Sequence, residues 1–158
     1  MQLGYIPPEL QPQILDFFQR FSRFEFALKE ARYWRSHTAN HAAGPGWSDF
    51  VAAHEGAYAA TPAALALEAA NPKKQVVAAG AQSLEFRDLV FDAGTSDLAK
   101  AVRFVRTVRN NLFHGGKHDQ AGWDDPKRIG ELLPLTIAVL NELASLDPAI
   151  EADYPGAY

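Results

Sequence analysis

A chain of 158 residues, 47% hydrophobic and 22% charged, fits one globular domain, read here over residues 1–158, that can bury a core without covalent staples. It has no cysteine, which excludes disulfides, thiolate nucleophiles and cysteine-ligated zinc together and suits a reducing compartment. Its formal charge of −4 argues against a surface that binds nucleic acid indiscriminately.

Met1–Pro8 lacks the basic end and apolar run of a secretory leader, and no apolar stretch approaches the ~20 residues of a membrane span. A cytoplasmic protein with no membrane partner is the expectation. After Pro7-Pro8, the apolar spacing predicts a helix from Gln11 to about Arg35, with Ile14, Phe17, Phe18, Phe21, Phe24 and Leu28 on one face. Glu25 lies about 40° from Phe21 on the helical wheel, among those apolar neighbours. A carboxylate so placed needs a cation. Lys29 or Arg32 supplies one locally; Arg109, from another helix, is the longer-range choice.

His37 and His41 stand four apart, a spacing that can share a metal on a helix. No Glu follows His37 to complete a zinc-protease pattern, and Asn40–Gly46 reads as a turn, so both histidines are expected on a loop and no metal site is assigned. Ser48 can cap a helix from Asp49 to about Ala59, on which His54-Glu55 reads as a surface pair. Thr61-Pro62 opens another helix with a capping hydroxyl and proline at the first helical position. Beyond Asn71-Pro72, Val76-Val77, a turn near Gly80 and the alternating Leu84–Arg87 suggest a short β-hairpin.

Thr95 and Ser96 can cap the next helix, whose apolar stripe comprises Leu98, Ala101, Val102, Val105, Val108 and Leu112. Arg109 falls about 40° from Val105, inside that stripe. A guanidinium does not lose its proton and is costly to bury alone, so Arg109 requires a fixed anion or a pocket open to a ligand. On an unbroken helix His114 would stand about 140° away from it. Gly115-Gly116 permits a turn near Phe113 that returns the imidazole to Arg109. From Lys100 to His118 there are five Lys or Arg residues and no acid, leaving ten basic and nineteen acidic residues, a balance of −9, elsewhere. Lys100, Arg103, Arg106 and Arg109 step by three, a slanted ridge suited to leading a phosphate backbone to Arg109; a solvated basic face is the plainer alternative. Trp123, in the following loop, can stack a base or pack on the helix. Asp125-Pro126 then opens a last long helix to about Ser145, kinked at Pro134. It is apolar enough to lie centrally or in an oligomer interface.

Around Arg109-Asn110-x-x-x-His114 the sequence resembles the HEPN superfamily, marked by an arginine, commonly a polar residue next, and a histidine after four to six intervening positions. The resemblance extends to the apolar helix before the motif, the His-Gly-Gly-Lys exit and the aromatic first helix. It implies an all-α fold, a HEPN-like bundle of four to five helices that accommodates the hairpin, and a homodimer with facing motifs. It also implies a metal-independent endoribonuclease of toxin or phage- and plasmid-defence type. Arg109, Asn110 and His114 would be the catalytic set, with Glu25, Lys117 and His118 in support, Lys100, Arg103, Arg106 and Trp123 along the RNA, and no cofactor. A cognate antitoxin would be a further partner. Other members only bind, so a non-catalytic RNA- or nucleotide-binding module is the alternative, and a purely structural bundle with a salt-bridged Arg109 is the third. Where some members carry a modifiable tyrosine two residues after the histidine, this chain has Gly116.

Overall fold

The computed structural model describes residues 6–113 and 126–154, and every structural statement refers to these. The elements run α1 (Gln11–Glu30), α2 (Trp47–His54), α3 (Pro62–Ala70), β1 (Lys74–Val77), β2 (Leu84–Arg87), α4 (Asp97–Phe113), α5 (Pro126–Ala144) and α6 (Pro148–Asp153). The chain is thus mainly helical, with one antiparallel hairpin in which Lys74 pairs with Arg87 and Val77 with Leu84. Among the described residues no helix is long and apolar enough to cross a membrane.

The architecture follows from where the apolar faces lie. α5 buries Leu133, Thr136, Val139, Leu140 and Leu143 and is packed by α1, α3, α4 and α6, which makes it the central element. Thr136, fully buried, returns its hydroxyl to the Leu132 carbonyl at 2.7 Å, so no polar group is stranded there. α1 lays Phe17, Phe21, Phe24 and Leu28 into the same core. The Phe24 ring is its aromatic centre, within 4.9 Å of Trp47, 5.7 Å of Phe50 and 5.9 Å of Tyr154, centroid to centroid. Each such ring contributes about 1.5–3 kcal/mol by leaving water.

Several local expectations hold. Thr61 Oγ1 accepts from Ala64 N at 3.1 Å and proline follows it; Ser96 Oγ accepts from Ala99 N at 3.2 Å. Others are corrected. α1 ends at Glu30, not near Arg35, because the Arg32 N–H bonds Lys29 O and the Tyr33 N–H bonds Leu28 O, closing the helix with Arg32 left-handed at φ 67°. Phe18, expected on the buried face, is 48% exposed. α2 begins at Trp47 on Gly46 with no side-chain cap, so Ser48 does not open it. His54 is not paired with Glu55 at the surface. Its Nε2 lies 3.0 Å from Tyr33 Oη and 3.2 Å from Asp147 Oδ2, and Tyr33 donates to the same carboxylate at 2.7 Å. These three tie the end of α1, the end of α2 and the start of α6 together. α6 is an additional short helix; Asp147 caps it through Ala149 N, with Pro148 at its first position.

The candidate site at the α1–α2–α4 junction

α4 buries Leu98, Ala101, Val102, Val105 and Val108, as its periodicity predicts, and also Phe104 and Thr107. The wider burial reflects neighbours on several sides: α2, α3, α5 and the hairpin. Arg109 is half-buried at the edge of this surface. Its guanidinium carbon stands 5.6 Å from the Phe21 ring centroid and 5.7 Å from that of Phe113, and Nη1 donates to Asn110 Oδ1 at 3.3 Å. A delocalised cation within reach of two aromatic rings is held in place while its in-plane donors stay directional, because the ring quadrupoles attract its charge through the face.

Phe113 is fixed in turn by α1. It stacks on Phe17 at 6.4 Å and meets Phe18 edge-on at 5.4 Å, yet remains 39% exposed. The antiparallel match along α1 and α4 therefore reads Phe17 and Phe18 with Phe113, then Phe21 with Arg109. One helical turn further, Glu25 and Arg106 approach. The Glu25 carboxylate accepts Trp47 Nε1 at 3.0 Å and attracts Arg106. Glu25 does not form the expected ion pair with Arg109, nor one with Lys29 or Arg32; its hydrogen-bond partner is an indole from α2.

Trp47 has two further roles here. Its buried ring lies 5.7 Å from Phe21, extending the aromatic floor beneath Arg109, and carries the Arg106 guanidinium at 5.9 Å. Arg35, from the loop between α1 and α2, adds a third positive charge that bears on Arg106 together with Arg109. Burial, then repulsion by Arg35 and Arg109, lowers the pKa of Arg106 despite the opposing attraction of Glu25.

The ridge from Lys100 to Arg109 does not present one surface. Lys100 lies beside Glu68 and Asp97 in a shallow depression against α3, and Arg103 donates to Val90 O at 3.2 Å while its guanidinium covers the Phe91 ring at 4.8 Å. Steps of three residues turn the helix by about 60° short of a full circle each time. Lys100 and Arg109 consequently face opposite sides. Arg106 and Arg109 alone of the four share the α1–α2–α4 junction.

Asn110 is exposed next to Arg109, while Asn111 Nδ2 donates to Lys73 O at 2.7 Å and fastens the root of the hairpin to the same turn. His114, Lys117, His118 and Trp123 lie outside the described residues. Among those described, no group of three or more His, Asp or Glu side chains is placed to hold a metal ion. His37 bonds Asp49 Oδ2 at 2.8 Å and His41 meets Ser36 Oγ at 2.9 Å, both exposed on the loop. Sequence reasoning missed Trp47 and Arg35. Neither lies in a motif, and both reach the site only because the loop from Ala31 to Gly46 folds back on itself through Arg35 N to Gly44 O and Gly46 N to Tyr33 O. Comparison with protein-family models, with curated proteins and with solved structures finds no match.

Proposed function

We propose that the chain is a HEPN-like, metal-independent endoribonuclease that acts as a homodimer. The observation that carries this reading is Arg109: a half-buried guanidinium within cation–π reach of both Phe21 and Phe113 on the last described turn of α4, beside exposed Asn110 and immediately before the His114 segment in sequence.

Cleavage next to a ribose 2′-hydroxyl needs a base for the hydroxyl proton, an acid for the leaving oxygen and positive donors for the phosphate. The 2′-oxygen attacks phosphorus as its proton passes to one imidazole. The bond to the 5′-oxygen then breaks as that oxygen takes a proton from a second. Imidazole suits both roles near neutral pH. One chain carries one His114, so a two-fold pair of motifs supplies acid and base together. Arg109 holds the phosphoryl oxygens with its planar fork of donors, and Asn110 orients the ribose or His114. By the HEPN resemblance, Lys117 and His118 would support the reaction and Trp123 would contact the RNA. Exposed Phe18 and Phe113, in contact with each other beside Arg109, supply the apolar contact for the second copy. Glu25 acts indirectly, by fixing Trp47 under Arg106. Toxin or defence use in the cytoplasm, checked by a cognate antitoxin, is the biological setting this chemistry suits.

Identification of the product ends tests the chemistry. RNA cleaved in excess EDTA should carry 2′,3′-cyclic phosphate and 5′-hydroxyl ends. Cleavage that requires magnesium, or leaves 3′-hydroxyl ends, would contradict it, and binding without cleavage would identify a binding module instead.

A further inference from the structure

The junction holds more positive charge than a single scissile phosphate needs. Arg109 and Arg106 lie over neighbouring rings of one floor, Phe21 and Trp47, whose centroids are 5.7 Å apart. Arg106 and Arg109 are three positions apart on one helix, which sets their Cβ atoms roughly 5–6 Å apart, a spacing that adjacent phosphates of an extended strand can match. Arg35, whose charge bears on Arg106, sits on a loop that is pinned rather than loose. Its own N–H bonds Gly44 O at 2.9 Å, Trp34 bridges Pro45, and its guanidinium lies so close over Gly44 that a Cβ there would come within 3.0 Å of Nε. Gly46 fits equally tightly, since a Cβ on it would meet the Trp34 backbone at 2.7 Å. Among the described residues Glu25 is the one carboxylate that bears on Arg106, and it is already bonded to Trp47.

Like charges repel, and Arg35 and Arg109 both act against the charge on Arg106. A polyanion removes that repulsion and releases its counterions. Lys100 and Arg103, turned toward other elements, offer no continuation along α4.

We infer that a single RNA strand leaves α4 for the loop between α1 and α2, running from Arg109 over Arg106 to Arg35, where Arg106 and Arg35 grip successive phosphates to one side of the cleaved one. The inference rests on RNA being what Arg109 engages. Arg106 and Arg35 are binding residues in this scheme and take no part in bond breaking. The track reads backbone and not bases, so it gives affinity without sequence preference.

Fluorescence anisotropy of the full-length protein with a short labelled RNA, 2′-O-methylated so that it cannot be cleaved, tests this across a salt series. Arg35→Ala and Arg106→Ala should each weaken binding roughly fivefold or more at low salt and lower the salt slope by about 0.7. Arg35→Lys should restore the slope, and Lys100→Ala should change neither quantity. Arg35→Ala with wild-type affinity and slope, or Lys100→Ala with the larger loss, overturns the track. Thermal melting of each variant separates lost binding from lost folding. Cleavage of unmodified RNA is followed in parallel. If RNA is cut but Arg35→Ala binds normally, the track fails and the nuclease reading stands. Binding that depends on Arg35 without any cleavage supports the track and removes the nuclease reading, and no RNA binding at all overturns both.

Discussion

The Tyr33 hydroxyl has one proton and gives it to Asp147 Oδ2 at 2.7 Å. A proton on His54 Nε2 can then serve both remaining acceptors, Tyr33 Oη and the same carboxylate oxygen. Burial raises the Tyr33 phenol, and the bond to Asp147 and its negative charge add to that, pushing it up to about 12. Burial also works to raise the Asp147 carboxyl, but hydrogen bonds from Tyr33, Ala149 N and His54 prevail and hold it below its ordinary value. The linkage signs differ. A phenol with a raised folded pKa stabilises fully below about pH 10 and loses that contribution as pH climbs toward 12. A carboxylate with a lowered one stabilises above about pH 4 and loses its contribution as pH falls through the folded value. Tyr33→Phe should therefore cost about 1–3 kcal/mol at neutral pH, the cost of stripping a partner from a half-buried carboxylate. It should also flatten the stability profile between pH 10 and 12 relative to wild type. Urea midpoints across that range check this; parallel profiles for the two proteins would contradict it.

At the scale of elements, legibility tracked how local the decisive interactions are. The stripe of α4 and the caps at Thr61 and Ser96 depend on neighbours within a turn, and they stand where the residues put them. The hairpin, signalled by period-two alternation around Gly80, is equally local. The end of α1 is different. No glycine or proline marks it, and Ala31–Arg35 continues a credible helical pattern. The chain turns because Tyr33 N–H and Trp34 Nε1 reach back to Leu28 O and Lys29 O, leaving Arg32 to take the left-handed position glycine normally fills. Missing that turn hid Arg35 and Trp47, and with them the true partner of Glu25. That Glu25 needed a partner was legible in its apolar surroundings; which one was not. α6 carried the same signal as α3, a capping side chain followed by proline at Asp147-Pro148, but its brevity hid it. A left-handed β-carbon costs roughly 1 kcal/mol, so Arg32→Gly should raise stability by about 0.5–1 kcal/mol. Equilibrium urea unfolding measures it, and destabilisation would mean that the Arg32 side chain contributes more than its backbone costs.

For the whole molecule, the proposed dimer would bring its second copy against the apolar side chains exposed beside Arg109. Phe18 is 48% exposed and Phe113 39%, and the two touch each other beside Arg109. In the proposed dimer a second copy would cover these side chains while leaving the guanidiniums open. Light scattering should give about twice the 17.4 kDa chain mass. Phe18→Glu, at a position outside the core, should return the protein to one chain mass without unfolding it and remove its activity. A fully active monomer would refute a site composed across two chains.

The proposed metal-free cleavage by Arg109 and His114 is tested by parallel cleavage assays in EDTA. Wild type, Arg109→Ala and His114→Ala are each incubated with the same RNA, and their affinity for the uncleavable analogue is measured alongside. Wild type should cleave, and each variant should lose cleavage while retaining part of its RNA affinity. Wild-type cleavage that survives undiminished in His114→Ala would contradict the account.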